Sequence, residues 1–412
     1  MSRTLFVAVT VVLISVFVAC GLNATWSRTY HPAGWNHVDV CGLEALPGGN
    51  VLLFGSVANY DNPDNTTDVF LAEFNSDGAV VWERIHDFGD TDIPMWIAVN
   101  ASGRAIMWNL ADDANAIVAL APGGEIAWQK PGRFFDAVFV GEDVVLASGD
   151  SVVRLAADGS VVWVHALVNN DARFVAIDGA GNTYVAGSVA EPGQVNAEVP
   201  RVDAWLAKLD SSGMLLWESS DGAPNSSERV GGLGALPDGR VVVTTEVQLS
   251  PDYSSVVTRM YAPQGGLLWH DEYANVAAFD NYPEDLSIDA DGNVLVLSIS
   301  DRRSTGPWNA NNDERVVTKL SATGAVQWRS VESGFAVLNR GLLVHSLHHD
   351  DRYVYATGGA TTHIYDRADG DELISFDDGT LDNNYLAFGN GDTVYFATTD
   401  GNDGVVKRYE RP

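Results

Sequence analysis

Three stretches of the chain bring metal-ligating side chains to spacings that coordination chemistry uses. Asp289-Ala290-Asp291-Gly292-Asn293 has the alternating carboxylates and following glycine that open a calcium loop, and Asp377-Asp378-Gly379-Thr380-Leu381-Asp382 is a second acidic cluster. The first lacks the glutamate that closes such a loop at its twelfth position. It also falls where a short hairpin turn is expected, and an aspartate in that place serves the backbone N–H groups of its own turn. Calcium is therefore the one cofactor left open, as the alternative to turn chemistry. His345, His348 and His349, with Asp350 and Asp351, form the third stretch. In an extended chain His348 and His349 point to opposite faces, so no metal ligand is assigned. The serines include no strand-to-helix nucleophile elbow, and no catalytic residue is assigned either.

The elements that must carry these residues are legible from a repeated figure, a glycine followed four positions later by tryptophan. It stands at Gly78…Trp82, Gly124…Trp128, Gly159…Trp163, Gly213…Trp217, Gly265…Trp269 and Gly324…Trp328. A unit repeated every few tens of residues cannot bury its apolar face alone, so the copies must stack on one another. Each figure follows a short apolar run, such as Asp68 to Phe74 or Asp203 to Leu209, across turn formers such as Asn75-Ser76-Asp77-Gly78. A second hairpin lies between the figures and turns at Pro47-Gly48-Gly49-Asn50, Ala101-Ser102-Gly103, Gly141-Glu142-Asp143, Gly179-Ala180-Gly181-Asn182, Pro237-Asp238-Gly239 and Ala290-Asp291-Gly292. Two hairpins per repeat give four antiparallel strands, the blade of an all-β propeller.

The figure decays beyond Trp328, where Ile374 holds the tryptophan position and a last repeat, ending in Val405 to Tyr409, lacks a fourth strand. At the other end Ala24 to Tyr30 is an orphan strand that carries Trp26. Pairing the two ends completes an eight-bladed β-propeller of four-stranded antiparallel blades and removes an open edge. Seven blades is the alternative, with the short Trp128-to-Trp163 interval as the repeat to discard. Trp26, Trp82, Trp128, Trp163, Trp217, Trp269, Trp328 and Ile374 are read as a structural clasp between blades, because a large ring at a fixed place in every last strand serves packing.

Binding residues are expected on irregular loops carried by such a rigid scaffold. The long segments, His31 to His37, Val57 to Thr67, Asp87 to Pro94, Val189 to Arg201, Asp221 to Arg229, Glu272 to Pro283 and Ser300 to Asp313, all fall on one face, opposite the short hairpin turns. They gather aromatic and acidic side chains, and Trp35, Tyr60, Asp87, Asp90, Asp92, Asp280, Tyr282 and Trp308 are the recognition-face candidates.

The net charge of −31 excludes nucleic acid as a partner, since a phosphate backbone calls for surplus Lys and Arg. At the N-terminus, Arg3 followed by the apolar run Leu5 to Ala19 reads as an export signal too short for a membrane span. Phe17-Val18-Ala19-Cys20-Gly21 resembles the lipobox of bacterial lipoproteins, which implies acylation of Cys20. The organisation expected is a signal peptide over 1–19, a lipidated tether over 20–25 and a single propeller domain over 26–412. The only other cysteine is Cys41, expected as a small hydrophobe in a buried strand, so the mature chain has no disulfide framework.

Leu206-Ala207-Lys208-Leu209-Asp210-Ser211-Ser212-Gly213-Met214-Leu215-Leu216-Trp217-Glu218 resembles the repeat of pyrroloquinoline-quinone-like propellers. In that family one branch binds the quinone and oxidises alcohols or aldehydes, often with adjacent cysteines against the cofactor, a pair this chain lacks. Another branch, similar to the lipoprotein of the outer-membrane barrel-assembly machinery, is a non-catalytic scaffold. The resemblance, with the lipobox, implies an outer-membrane lipoprotein acting as a monomeric binding or assembly scaffold, with other envelope proteins or an extracellular ligand as partner. The alternative is a propeller enzyme, or a carbohydrate- or ligand-binding protein, with its site in the central channel or on the long-loop face.

Overall fold

The computed structural model describes residues 24–61, 66–111, 115–190, 202–222, 226–250, 253–275, 280–301, 313–335, 346–358, 361–377 and 385–411. Their strands form eight sheets of four antiparallel strands, arranged as the blades of a β-propeller. Blades 1 to 7 are consecutive along the chain, over 37–86, 92–131, 136–166, 170–221, 227–273, 280–335 and 346–377. Blade 8 takes three strands from 385–410 and its outermost strand from Ala24–Tyr30 at the other end of the chain. In that pair Ala24 lies opposite Tyr409 and Tyr30 opposite Gly404. Blade 3 is the short repeat between Trp128 and Trp163, and it is a full blade, built of strands five or six residues long with tight turns.

The middle strands of each blade are buried on both faces, so they read as unbroken apolar runs rather than alternating ones. Val51-Leu52-Leu53-Phe54 shows how the two faces divide: Val51 and Leu53 pack toward blade 8, while Leu52 and Phe54 pack toward blade 2. The same division repeats around the ring, and the eight apolar clusters correspond to the eight seams between blades. The core is thus a ring of interfaces.

Each figure of glycine and tryptophan spans one of these seams. The glycines of the outer hairpin turns adopt φ between 77° and 89°, a left-handed conformation that suits a residue without Cβ. A Cβ added at Gly213 would also stand 2.6 Å from the Trp163 ring of the preceding blade, and one at Gly370 would stand 2.5 Å from Trp328. Trp26 lies in the same way on Gly78, which carries blade 8 onto blade 1. Six indoles donate Nε1–H across the seam to a backbone carbonyl, those of Ser76, Ala157, Ser211, Pro263, Ala322 and Arg367. Trp82 is the exception and donates to Glu73 of its own blade.

Candidate functional site: central channel and loop face

The first strands of neighbouring blades pack on one another from blade 8 through blade 1 and on to blade 7. Between those of blades 1, 2, 6, 7 and 8 lies a cavity of about 550 Å³. Five first strands carry a β-bulge, and three of the bulged residues, Cys41, Met95 and Glu284, line this cavity. An extra residue in one strand bends it and turns a side chain out of its alternating direction, here into the channel. Met95, Trp96 and Phe388 supply apolar wall, while Glu44, Asp285 and His348 supply ionisable groups.

Their environment sets the chemistry. Burial, with the Asp39 carboxylate nearby, pushes the Cys41 thiol up to about 12, so it stays protonated and is a poor nucleophile. Burial alone raises Glu44 to about 7. Asp285 rises to about 6 for the same reason, offset by the Leu347 and Leu286 N–H groups that donate to it. Burial, then the neighbouring His349, lowers His348 to about 4 and keeps its imidazole neutral. Across the ring, Asp136 in the first strand of blade 3 is raised to about 7 by burial while accepting the N–H of Val175 in blade 4. The cavity therefore combines a flat apolar wall with partly ionised acids. That arrangement suits a ligand with an apolar body and a cationic or hydrogen-bond-donating end.

The loop-face candidates separate into three places. Trp35 and Tyr60 lie where blade 8 meets blade 1: Tyr60 is 57% exposed, its ring sits tilted against His37 at 5.1 Å, and its backbone N–H donates to Asn36 Oδ1. Trp35 is half-buried against the seam core, and its carbonyl lies 2.7 Å from His31 Nε2. Asp87 and Asp90 are exposed at the seam of blades 1 and 2, and Asp87 gathers there with Asp92 and with Asp68. Asp280 and Tyr282 lie far along the ring, in the first strand of blade 6. Expected as exposed, Asp92 and Asp280 are instead 0% and 3% exposed, since both begin strands that another blade covers. Trp308, Cys20 and His345 lie outside the described residues.

The other metal-binding expectations resolve locally. The Asp289 carboxylate accepts the N–H groups of Asp291 and Asn293 in its own turn and faces Arg367 at 3.2 Å. His348 lies by Ser346 Oγ at 3.1 Å, whereas His349 turns away to Ser287 Oγ at 2.8 Å. Of the acidic stretch over 377–382, only the backbone of Asp377 is described.

Sequence reasoning missed Glu44, Asp136 and Asp285. Glu44 stands between Leu43 and Ala45, and Asp136 opens the apolar run Ala137 to Val140, which is the signal that would have found those two; Asp285 follows Glu284 in a strand that also holds Asp280 and Asn281, so no such signal marks it.

No family model matches the chain, and no curated protein matches it. Solved structures do. The chain is similar to the Dos1 propeller, at 11% identity over 95% of this chain and 96% of that one, with a TM-score of 0.60. It is also similar to the quinohemoprotein alcohol dehydrogenase from Comamonas testosteroni, at 10% identity over 94% of this chain and 76% of that one, with a TM-score of 0.57. At such identity the likeness is one of fold, and it supports the β-propeller architecture.

Proposed function

We propose that the protein is an exported, lipid-anchored binding propeller of the bacterial envelope that holds partners on its long-loop face as an assembly scaffold. The fold itself suggests a binding or scaffold role. The observation that carries the finer reading is the polarity of the first strand. Ala24 sits beside Tyr409, at the end of the blade where the short hairpin turns lie, and the strand runs from there toward Tyr30. A lipid on Cys20 would be joined to that strand by Gly21 to Asn23, a reach of at most about 14 Å. The short-turn face would then lie toward the membrane and the face of Tyr60 and Trp35 away from it. Crosslinking and pull-down from native envelope tests this, comparing wild type with a Trp35→Ala/Tyr60→Ala double variant. Loss of the captured partner from the variant is expected, and retention of every partner overturns the reading. Cys20→Ala should release the protein to the soluble fraction, and continued fractionation with membranes would refute the anchor.

The channel cavity favours a second reading, capture of an amphipathic cation. Its test is quenching of tryptophan emission by a phenylalkylamine, expected to bind more weakly in Glu44→Gln because the acid facing the cavity is lost.

A further inference from the structure

In each blade one residue of the third strand lies opposite the clasp residue of the fourth. Blades 3, 4, 6 and 8 place a base there, Arg154, Lys208, Lys319 and Arg408. The first three reach the carbonyl across the seam that also accepts the indole N–H: Arg154 lies 3.4 Å from the Ser211 oxygen, Lys208 3.5 Å from that of Pro263 and Lys319 2.7 Å from that of Arg367. Blade 2 has Ala119 in the position and brings Arg104 to the Ala157 carbonyl instead. A cation on the turn carbonyl is thus a recurring part of the seams.

Blade 1 reverses it. Its residue opposite Trp82 is Glu73, the one acid among the eight equivalent positions. Asn50 and the Trp82 indole donate to its two oxygens, and among the described residues no cation pairs with it. Arg84, on the strand of Trp82, is held by Glu125. The carbonyl in the place of those of Ser211 and Pro263 belongs to Pro122, and Trp82 has turned away from it.

Size changes along with charge. In blade 4 the strand partner of Lys208 is Tyr184, over whose ring the ammonium stands at 4.7 Å. The matching partner of Glu73 is Leu52. Smaller side chains therefore stand where blade 4 has Tyr184 and Lys208, and a cavity of about 150 Å³ opens, walled by Leu46, Leu52 and Leu120 around Glu73 and Trp82. Its mouth lies between the exposed hairpin turns of Pro47 and Pro122. An apolar cavity of this size takes a molecule about as large as benzene.

We propose that this cavity binds a primary alkylammonium group, with Glu73 as its counter-ion and the leucine side chains around its alkyl chain. Such a ligand brings from outside what Lys208 and Lys319 provide within their own blades, and its ammonium makes charge-assisted hydrogen bonds to the carboxylate. A free alkylamine and the lysine side chain of a partner share that chemistry. The site lies among the short turns, apart from both the long-loop face and the channel cavity.

The test titrates the isotope-labelled full chain with n-butylamine at neutral pH, read by calorimetry and by the indole N–H resonances, that of Trp82 being identified by its loss in Trp82→Phe. One amine per chain and a saturable shift of the Trp82 resonance are expected, and uncharged n-butanol should bind at least about tenfold more weakly. Glu73→Gln should weaken amine binding by about tenfold or more. Glu73→Lys copies blades 4 and 6 and should keep the fold while abolishing binding. Glu125→Gln removes an exposed acid of the same seam that does not line the cavity and should leave binding intact. A capped lysine peptide separates the two sources: a shift of the same resonance assigns the site to a partner's lysine, and a response to n-butylamine alone assigns it to a free amine. An unshifted Trp82 resonance, equal binding of n-butanol, or binding that survives both Glu73→Gln and Glu73→Lys overturns the proposal.

Discussion

Gly213 and Trp163 show why the repeated figure pairs these two residue types. The glycine is needed twice, once for a φ of 83° and once because the preceding indole occupies the space a Cβ would take. Gly213→Ala should therefore cost about 2–4 kcal/mol in chemical denaturation, combining left-handed strain with the clash. In a Trp163→Ala background the same change should cost only about 1–2 kcal/mol, since the clash is gone and the strain remains. Strict additivity in that cycle would show that the two residues act separately. Ile374 gains an explanation by the same contact. Blade 8 borrows its last strand from the N-terminus, so it has no outer hairpin turn and no turn glycine for a ring in blade 7 to cover. Ile374 packs instead beside the cluster of Tyr355, Phe396 and Tyr409.

Among the elements, the first strands carry the pH dependence. Asp136 is raised to about 7 in the fold from an ordinary value of 3.8, so the folded chain holds its proton more tightly than the unfolded chain does. That contribution to stability is complete below about pH 4 and is lost as pH rises through 7. Asp285, raised to about 6, acts in the same sense over a slightly lower window. Thermal melts from pH 4 to 8 should accordingly show the Tm of Asp136→Asn climbing relative to wild type as pH rises, and a constant difference would contradict the assigned ionisation. Cys41 belongs to the same set. With its thiol near 12, alkylation by iodoacetamide at pH 7.5 should be at least tenfold slower in the folded chain than in urea.

For the molecule as a whole, the decisive contact is the one that makes a ring of the chain. An open array of repeats loses stability from its ends, whereas here the strand Ala24–Tyr30 ties blade 8 together and Trp26 passes the clasp on to Gly78 of blade 1. Removing residues 24–30 would bare the edge of Asp403–Glu410 and uncover that glycine together. Such a chain should melt at least 10 °C below the intact one and associate in a concentration-dependent way, as an unpaired edge does. A monodisperse truncated protein with unchanged Tm would mean that the seams alone close the ring.

The sequence by itself determined the blades. Turn glycines, apolar runs and the recurring tryptophan are local signals, each confined to a few neighbouring residues, and they placed the strands, the closure by both chain ends and the eight-blade count correctly. They also led the short interval between Trp128 and Trp163 to be suspected, because its length and not its pattern was unusual. The sites were decided only by tertiary structure. Asp87 and Asp92 stood in the sequence as exposed loop acids, and nothing local foretold that Asp68, some twenty residues earlier, would join them or that Asp92 would be buried. Glu44, Asp136 and Asp285 likewise became buried carboxylates through strands of other blades. A periodic pattern reports which face of a strand is apolar; the charge, burial and partners of a side chain depend on what the neighbouring blade sets against it.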